Sequence, residues 1–110
     1  MTISMVIKVI DHEPQTWFLF QSDNLLLLDA NCNHGAFGYS YMIELSADEV
    51  AEYKNGGHDY LSKLAFEIQY SAPVAKGSNS KYIGRDVSKK YSEQAMVAIK
   101  EWRNSNETVT

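Results

Sequence analysis

Cys32 and His34 stand two residues apart, with Asp29 three residues before the cysteine. In an extended chain, positions 32 and 34 project from the same face, so a thiol and an imidazole can meet there. A nucleophilic site needs such a pair together with a third group that orients the base. A pocket near Cys32 and His34, with Asp29 on its wall, would suit a small ligand-binding or enzymatic domain. No residue pattern around the pair supplies the orienting group, and a small buried thiol beside a turn histidine is the commoner fate of a free cysteine. No catalytic residue is assigned, and the chain reads as a protein that is not an enzyme.

Metal chemistry finds little purchase. A structural zinc site takes four ligands, usually paired at short spacing, whereas this chain offers Cys32 and the scattered His12, His34 and His58. His58-Asp59 at a helix start is accounted for by capping and by complementing the helix dipole. No metal or cofactor is expected.

The basic groups are more concentrated. Lys76, Lys81, Arg85, Lys89 and Lys90 fall within fifteen residues, opposed by Asp86 alone. They precede or open a helix, whose amide end attracts anions, so weak RNA or nucleotide binding through Lys76 to Lys90 is one reading. The pieces Asn55-Gly56-Gly57 and Lys76-Gly-Ser-Asn-Ser-Lys81 do not form a phosphate loop. The acidic balance of the rest of the chain opposes general nucleic-acid binding.

The acids show a pattern of their own. Residues 1–75 hold ten acids against three lysines, a net of −7, and residues 76–110 hold seven basic groups against four acids, a net of +3. Charge asymmetry of this kind bears on partners rather than on fold. Asp48, Glu49 and Glu52 beside Tyr53 would make an acidic, aromatic helix face suited to a basic protein partner, with Asp11, Glu13 and Asp29 as further members. Tyr53 and Tyr82 are the tyrosines expected at the surface; Tyr39, Tyr41, Tyr60 and Tyr91 are expected in the core.

These side chains are carried by a single α+β domain over residues 1–110. Ser4–Glu13 is rich in Val and Ile and reads as a strand, followed by a break at Pro14-Gln15. Thr16–Gln21 is a second strand, apolar on both faces. Leu25-Leu-Leu-Leu28, bounded by turn residues, reads as a central strand covered on both sides. Phe37 to Leu45 alternates with a period of two, the mark of a strand buried on one face. Short polar turns between the four make an antiparallel meander. Ser46 and Glu49 then form a capping box, so the sheet ends there and helices begin. Three helices are expected: 47–54, stopped by Asn55-Gly-Gly57; about 58–70, with Leu61, Leu64, Ala65 and Ile68 at helical spacing; and 88–104, with Tyr91, Ala95, Ile99 and Trp102 on one stripe. Residues 74–81 form a flexible polar loop. Residues 82–87 are a short fifth strand or irregular chain.

At 110 residues the chain can bury one real core. No apolar run approaches the length needed to span a bilayer, and the start lacks a signal-peptide design. One cysteine fits a reducing cytoplasm. In size, acidity, single cysteine, lack of an enzyme motif and sheet-then-helix order, the whole chain resembles the small acidic immunity proteins of bacterial contact-dependent growth inhibition systems. That resemblance implies a cytoplasmic inhibitor that binds a cognate toxin domain, often a nuclease, and blocks its active site. It implies no particular site residues.

Overall fold

The computed structural model describes residues 7–23, 25–34 and 37–107. Four strands, β1 (Lys8–Glu13), β2 (Trp17–Ser22), β3 (Leu25–His34) and β4 (Phe37–Glu44), form one sheet in the order β1-β2-β3-β4. Every pairing is antiparallel. The meander expected from the turn signals is present. The expected start of the first strand at residues 4–6 lies outside the described residues.

Two helices follow, α1 (Ala47–Ser71) and α2 (Ser88–Glu107). They cover opposite faces of the sheet. Leu61, Leu64, Ala65 and Ile68 of α1 pack on Trp17, Leu19, Leu28, Ala30, Cys32, Tyr41 and Ile43. Tyr91, Ala95 and Ala98 of α2 pack on Phe20, Leu27 and Met42. The molecule is therefore a helix–sheet–helix stack. The leucine run of β3 feeds both cores, Leu26 and Leu28 one, Leu27 the other. β4 is less one-sided than its alternation suggests, because Met42 on its second face is also buried.

The expected count of three helices is corrected to two. The expected interruption at Asn55-Gly56-Gly57 is present as a kink, where two helical segments join into the one element α1. α1 runs through it, with Gly57 alone at φ 63°, ψ −145°. That conformation suits glycine because any β-carbon opposes it. Gly56 is constrained in a different way: a β-carbon there would lie 3.0 Å from Tyr60 Cβ. The glycine pair thus bends one helix so that its second half stays on the sheet. The Ser46–Glu49 capping box forms as expected, with Glu49 N donating to Ser46 Oγ at 3.2 Å and Ser46 N to Glu49 Oε1 at 2.8 Å.

Residues 82–87 do not form a fifth strand. Residues 85–88 instead cover the outer edge of β4 at one point, through an isolated bridge between Ile43 and Asp86. Val87 N donates to Met42 O at 2.8 Å, and Met42 N donates to Ser88 Oγ at 3.1 Å. Hydroxyl and carboxylate oxygens substitute for a neighbouring strand's carbonyl. The polar loop before it is tied down by serines: Ser71 Oγ lies 2.7 Å from Ser80 Oγ, Ser78 Oγ donates to Ser71 O at 3.0 Å, and Ser80 N and Tyr82 N donate to Ser78 Oγ and Ser80 Oγ.

One irregularity decides where the first strand's side chains go. The β1–β2 register pairs Val9 with Phe20 and then Asp11 with Leu19, so Ile10 is an extra, bulged residue. A bulge re-aims the residues beyond it. Val9 joins the α2-side core, while Asp11 and Glu13 emerge on the α1 side, opposite Leu19 and Trp17.

Gly57→Ala should cost about 1–3 kcal/mol of stability, the usual cost of holding a side chain in a glycine-only region. Urea unfolding of the variant against the parent chain checks this.

Candidate functional site

The bend at Gly57 places His58 against β1. His58 Nδ1 lies 3.1 Å from Asp11 Oδ1, and His58 Nε2 lies 2.9 Å from Glu13 Oε1. The ring also tilts against Trp17, with centroids 4.8 Å apart, and Trp17 Nε1 donates to Ser62 Oγ at 3.1 Å. Hydrogen bonds to Glu13 and then Asp11 hold the His58 imidazole above its ordinary pKa. With a carboxylate on each nitrogen, the ring is set up as a double donor, the charged form. Neither nitrogen is left to take a proton from a substrate, so this is a clamp between β1 and α1 rather than a catalytic base.

Of the residues expected in the acidic face, Asp11, Glu13 and Tyr53 lie near this clamp. Tyr53 packs on the α1-side core, and its hydroxyl is pushed up by burial and then by the charge of Asp11. Tyr60 is pushed up by burial and then by Glu49, Glu52 and Glu67. For both, burial is the larger cause and the neighbouring carboxylates the smaller. Asp48 and Glu52 are exposed and in no ion pair among the described residues, as is Asp59 one helical repeat further on.

Glu49 departs from the expected face. Arg85 reaches it with both guanidinium nitrogens, Nη1 to Oε2 at 2.9 Å and Nη2 to Oε1 at 2.6 Å, and Nη2 also donates to Glu44 O at 2.8 Å. Burial opposes ionisation of Glu49, yet the bonds from Arg85 and Ser46 hold its carboxyl below the usual range. Its charge is spent inside the fold. Asp29 also stands apart. It pairs in register with Phe18 and Met42, on the α2 side of the sheet. Its Oδ1 is sealed from solvent and accepts no hydrogen bond among the described residues. Burial first, then the charge of Asp86, pushes its carboxyl up to about 6.

The grouping of Asp29 with Cys32 does not form, because the two residues face opposite sides of β3. Cys32 is fully buried in the α1-side core. Burial pushes its thiol up, against a lowering hydrogen bond with Tyr39, whereas a reactive cysteine needs a thiolate near solvent. The side chain of His34 lies outside the described residues.

The basic stretch is also partly committed. Arg85 serves Glu49, Lys81 sits 5.4 Å from the Tyr82 ring centre and Lys90 5.3 Å from that of Tyr91. The first amide of α2, Ser88 N, donates to Asp86 Oδ1 at 2.9 Å, so the helix supplies its own anion. Tyr82, expected at the surface, is buried, its hydroxyl donating to Glu67 Oε2 at 3.0 Å and its carbonyl accepting from Tyr41 at 2.7 Å. The polar neighbours of Tyr82 hid this, because its pocket is made by residues distant in sequence. His58 was equally hidden; its only local signal is the glycine pair directly before it.

No protein-family profile, curated protein or solved structure matches the chain. The site must therefore be judged on its own charges. α1 carries five acids (Asp48, Glu49, Glu52, Asp59, Glu67) against Lys54 and Lys63, and the β1 acids face the same side. α2 carries four basic residues (Lys89, Lys90, Lys100, Arg103) against Glu93, Glu101 and Glu107. The asymmetry along the sequence is carried over only in part: α1 is strongly acidic and α2 close to balanced, while Lys81 and Arg85, over the ring of Tyr82 in the α1-side core, add positive charge beside α1.

The His58 ring should titrate above its ordinary value in an NMR pH series, and Glu13→Gln should bring it down more than any change at Asp59. The sign for Asp29 is the reverse of a paired carboxylate. Between about pH 4 and 6 the folded chain holds a proton on Asp29 that the unfolded chain has released, so stability should fall across that window as pH rises. The full loss from this group is about 3 kcal/mol. Asp29→Asn should flatten that part of the stability–pH curve.

Proposed function

We propose that the protein is an inhibitor of the immunity type, which neutralises a cognate toxin domain by laying its acidic α1 side over a basic active-site cleft. The observation that carries this reading is the acidic excess of α1, five acids against two lysines, with Asp48 and Glu52 exposed on it. A nuclease must display positive charge to hold a polyanion, and carboxylates presented on a rigid helix would steer the encounter and compete with substrate. The contact residues in this reading are Asp48, Glu52 and Tyr53, with Asp11 and Glu13 beside them. Glu49 supports the face by fixing the start of α1, and Asp29 is not part of it. The cytoplasm, where such a toxin would act, is the proposed location.

A toxin domain encoded in the neighbouring reading frame is the natural partner for a test. Co-expression with this chain should restore growth. Asp48→Lys combined with Glu52→Lys should slow association about tenfold or more at low salt. The same pair should lower the melting temperature only modestly, since both side chains are exposed and the cost is that of a lysine in the first turn of α1. Undiminished protection and unchanged association by the double variant would remove this face from the inhibitor.

A further inference from the structure

The α2 side of the sheet contains a cavity of about 240 Å³. Its floor is β-sheet: Phe18 of β2, Asp29 and Asn31 of β3, Ser40 of β4. Thr16 of the β1–β2 turn and Ile99 of α2 form its rim. The register explains the grouping, since Phe18 lies opposite Asp29 and Asn31 opposite Ser40. Asn31 is fixed in place by its neighbours, with Nδ2 donating to Gln15 O at 3.0 Å and its backbone N to Thr16 O at 2.8 Å.

The chemistry of this pocket is lopsided. Its one ionisable lining group is a carboxylate, and a second carboxylate, Asp86, adds negative potential from the edge of β4. Asp86 Oδ1 already accepts from Met42 N, Ser88 N and Ser88 Oγ. Asp29 is in no ion pair among the described residues, and its Oδ1 accepts no hydrogen bond there. A largely buried carboxylate in no ion pair raises the cost of the folded state, and a cation in the cavity that Asp29 lines would offset that cost through the charge, although Oδ1 itself is sealed. Phe18 and Ile99 give it an apolar wall that suits a short alkyl chain, and Gln15 and Trp17 complete the lining. The volume is below that of a drug-sized site and fits a single small head group with its tail.

We propose that this cavity is a binding site for a primary ammonium group carried on a short apolar chain, with Asp29 as the counter-charge, Ser40 as a hydroxyl acceptor, and Phe18 with Ile99 packing the chain. The site is on the opposite face of the sheet from the acidic α1 side and does not depend on the inhibitor reading. The ammonium group can come from a free amine or from the lysine side chain of a protein.

Butylammonium chloride titrated into the ¹⁵N-labelled protein is the direct test, with sodium chloride matching ionic strength. The amides of Phe18, Asp29, Asn31, Ser40 and Ile99 should shift saturably, with a Kd on the order of 1 mM for so small a ligand. Asp29→Asn should weaken binding at least tenfold. Ile99→Trp, which leaves the carboxylate and fills the cavity, should abolish it, so the proposal stays testable if either variant folds poorly. Equal shifts with 1-butanol, or undiminished binding by Asp29→Asn, would overturn the proposal, as would the absence of saturable shifts. Nα-acetyl-lysine methylamide separates the sources: binding as tight as butylammonium indicates a protein's lysine, and binding tenfold weaker or worse indicates a free amine.

Discussion

Strand β3 carries large apolar side chains on both of its faces, and this forces the architecture. A four-stranded sheet with Leu26 and Leu28 on one side and Leu27 on the other cannot leave either side to water. With about 25 cal/mol gained per Å² of apolar surface buried, each face needs its own cover. One helix is laid on each. The bend at Gly57 and the positioning of residues 85–88 are means to that end. The first keeps a long helix on its face, and the second carries the chain across the edge of β4 to start α2 on the other side.

The same constraint distributes the charge. Because successive helices are sent to opposite faces, the composition of α1 and that of α2 are displayed on two different surfaces. The acids of α1 and the basic residues of α2 are separated by the thickness of a sheet rather than mixed. The bulge at Ile10 adds to this by sending Asp11 and Glu13 to the α1 side. Lys81 and Arg85 stay on the α1 side, over the ring of Tyr82, and Arg85 holds the cap of α1 in place through Glu49.

What could be read from the sequence was local. The capping box at Ser46 and Glu49 needs only four consecutive residues, and the leucine run of β3 needs only its own neighbours. The alternation of β4 gave the strand but not the burial of Met42, since the second face is covered by a helix far along the chain. Asn55-Gly56-Gly57 marked an interruption whose extent was not local: a stop and a kink share one spelling, and packing of both halves of α1 on a common core selects the kink. Of the residues expected to form an acidic site, Asp48 and Glu52 could be placed because they lie on one helix. Glu49 could not, because its partner lies 36 residues away. The separation of Asp29 from Cys32 was implicit in strand parity, whereas the side taken by Asp11 and Glu13 depended on a bulge that leaves no clear mark in the sequence.

The hydrogen bonds that residues 85–88 make to Met42 have a consequence for self-association. A sheet with two open edges has a valence of two and can extend indefinitely by edge pairing, the route to fibrils. Here a strand arriving at β4 must first displace the Val87 and Ser88 contacts, whereas among the described residues nothing pairs with the outer edge of β1. The two edges are thus unequal: an added strand meets an obstacle at Met42 of β4 and none at β1 among the described residues.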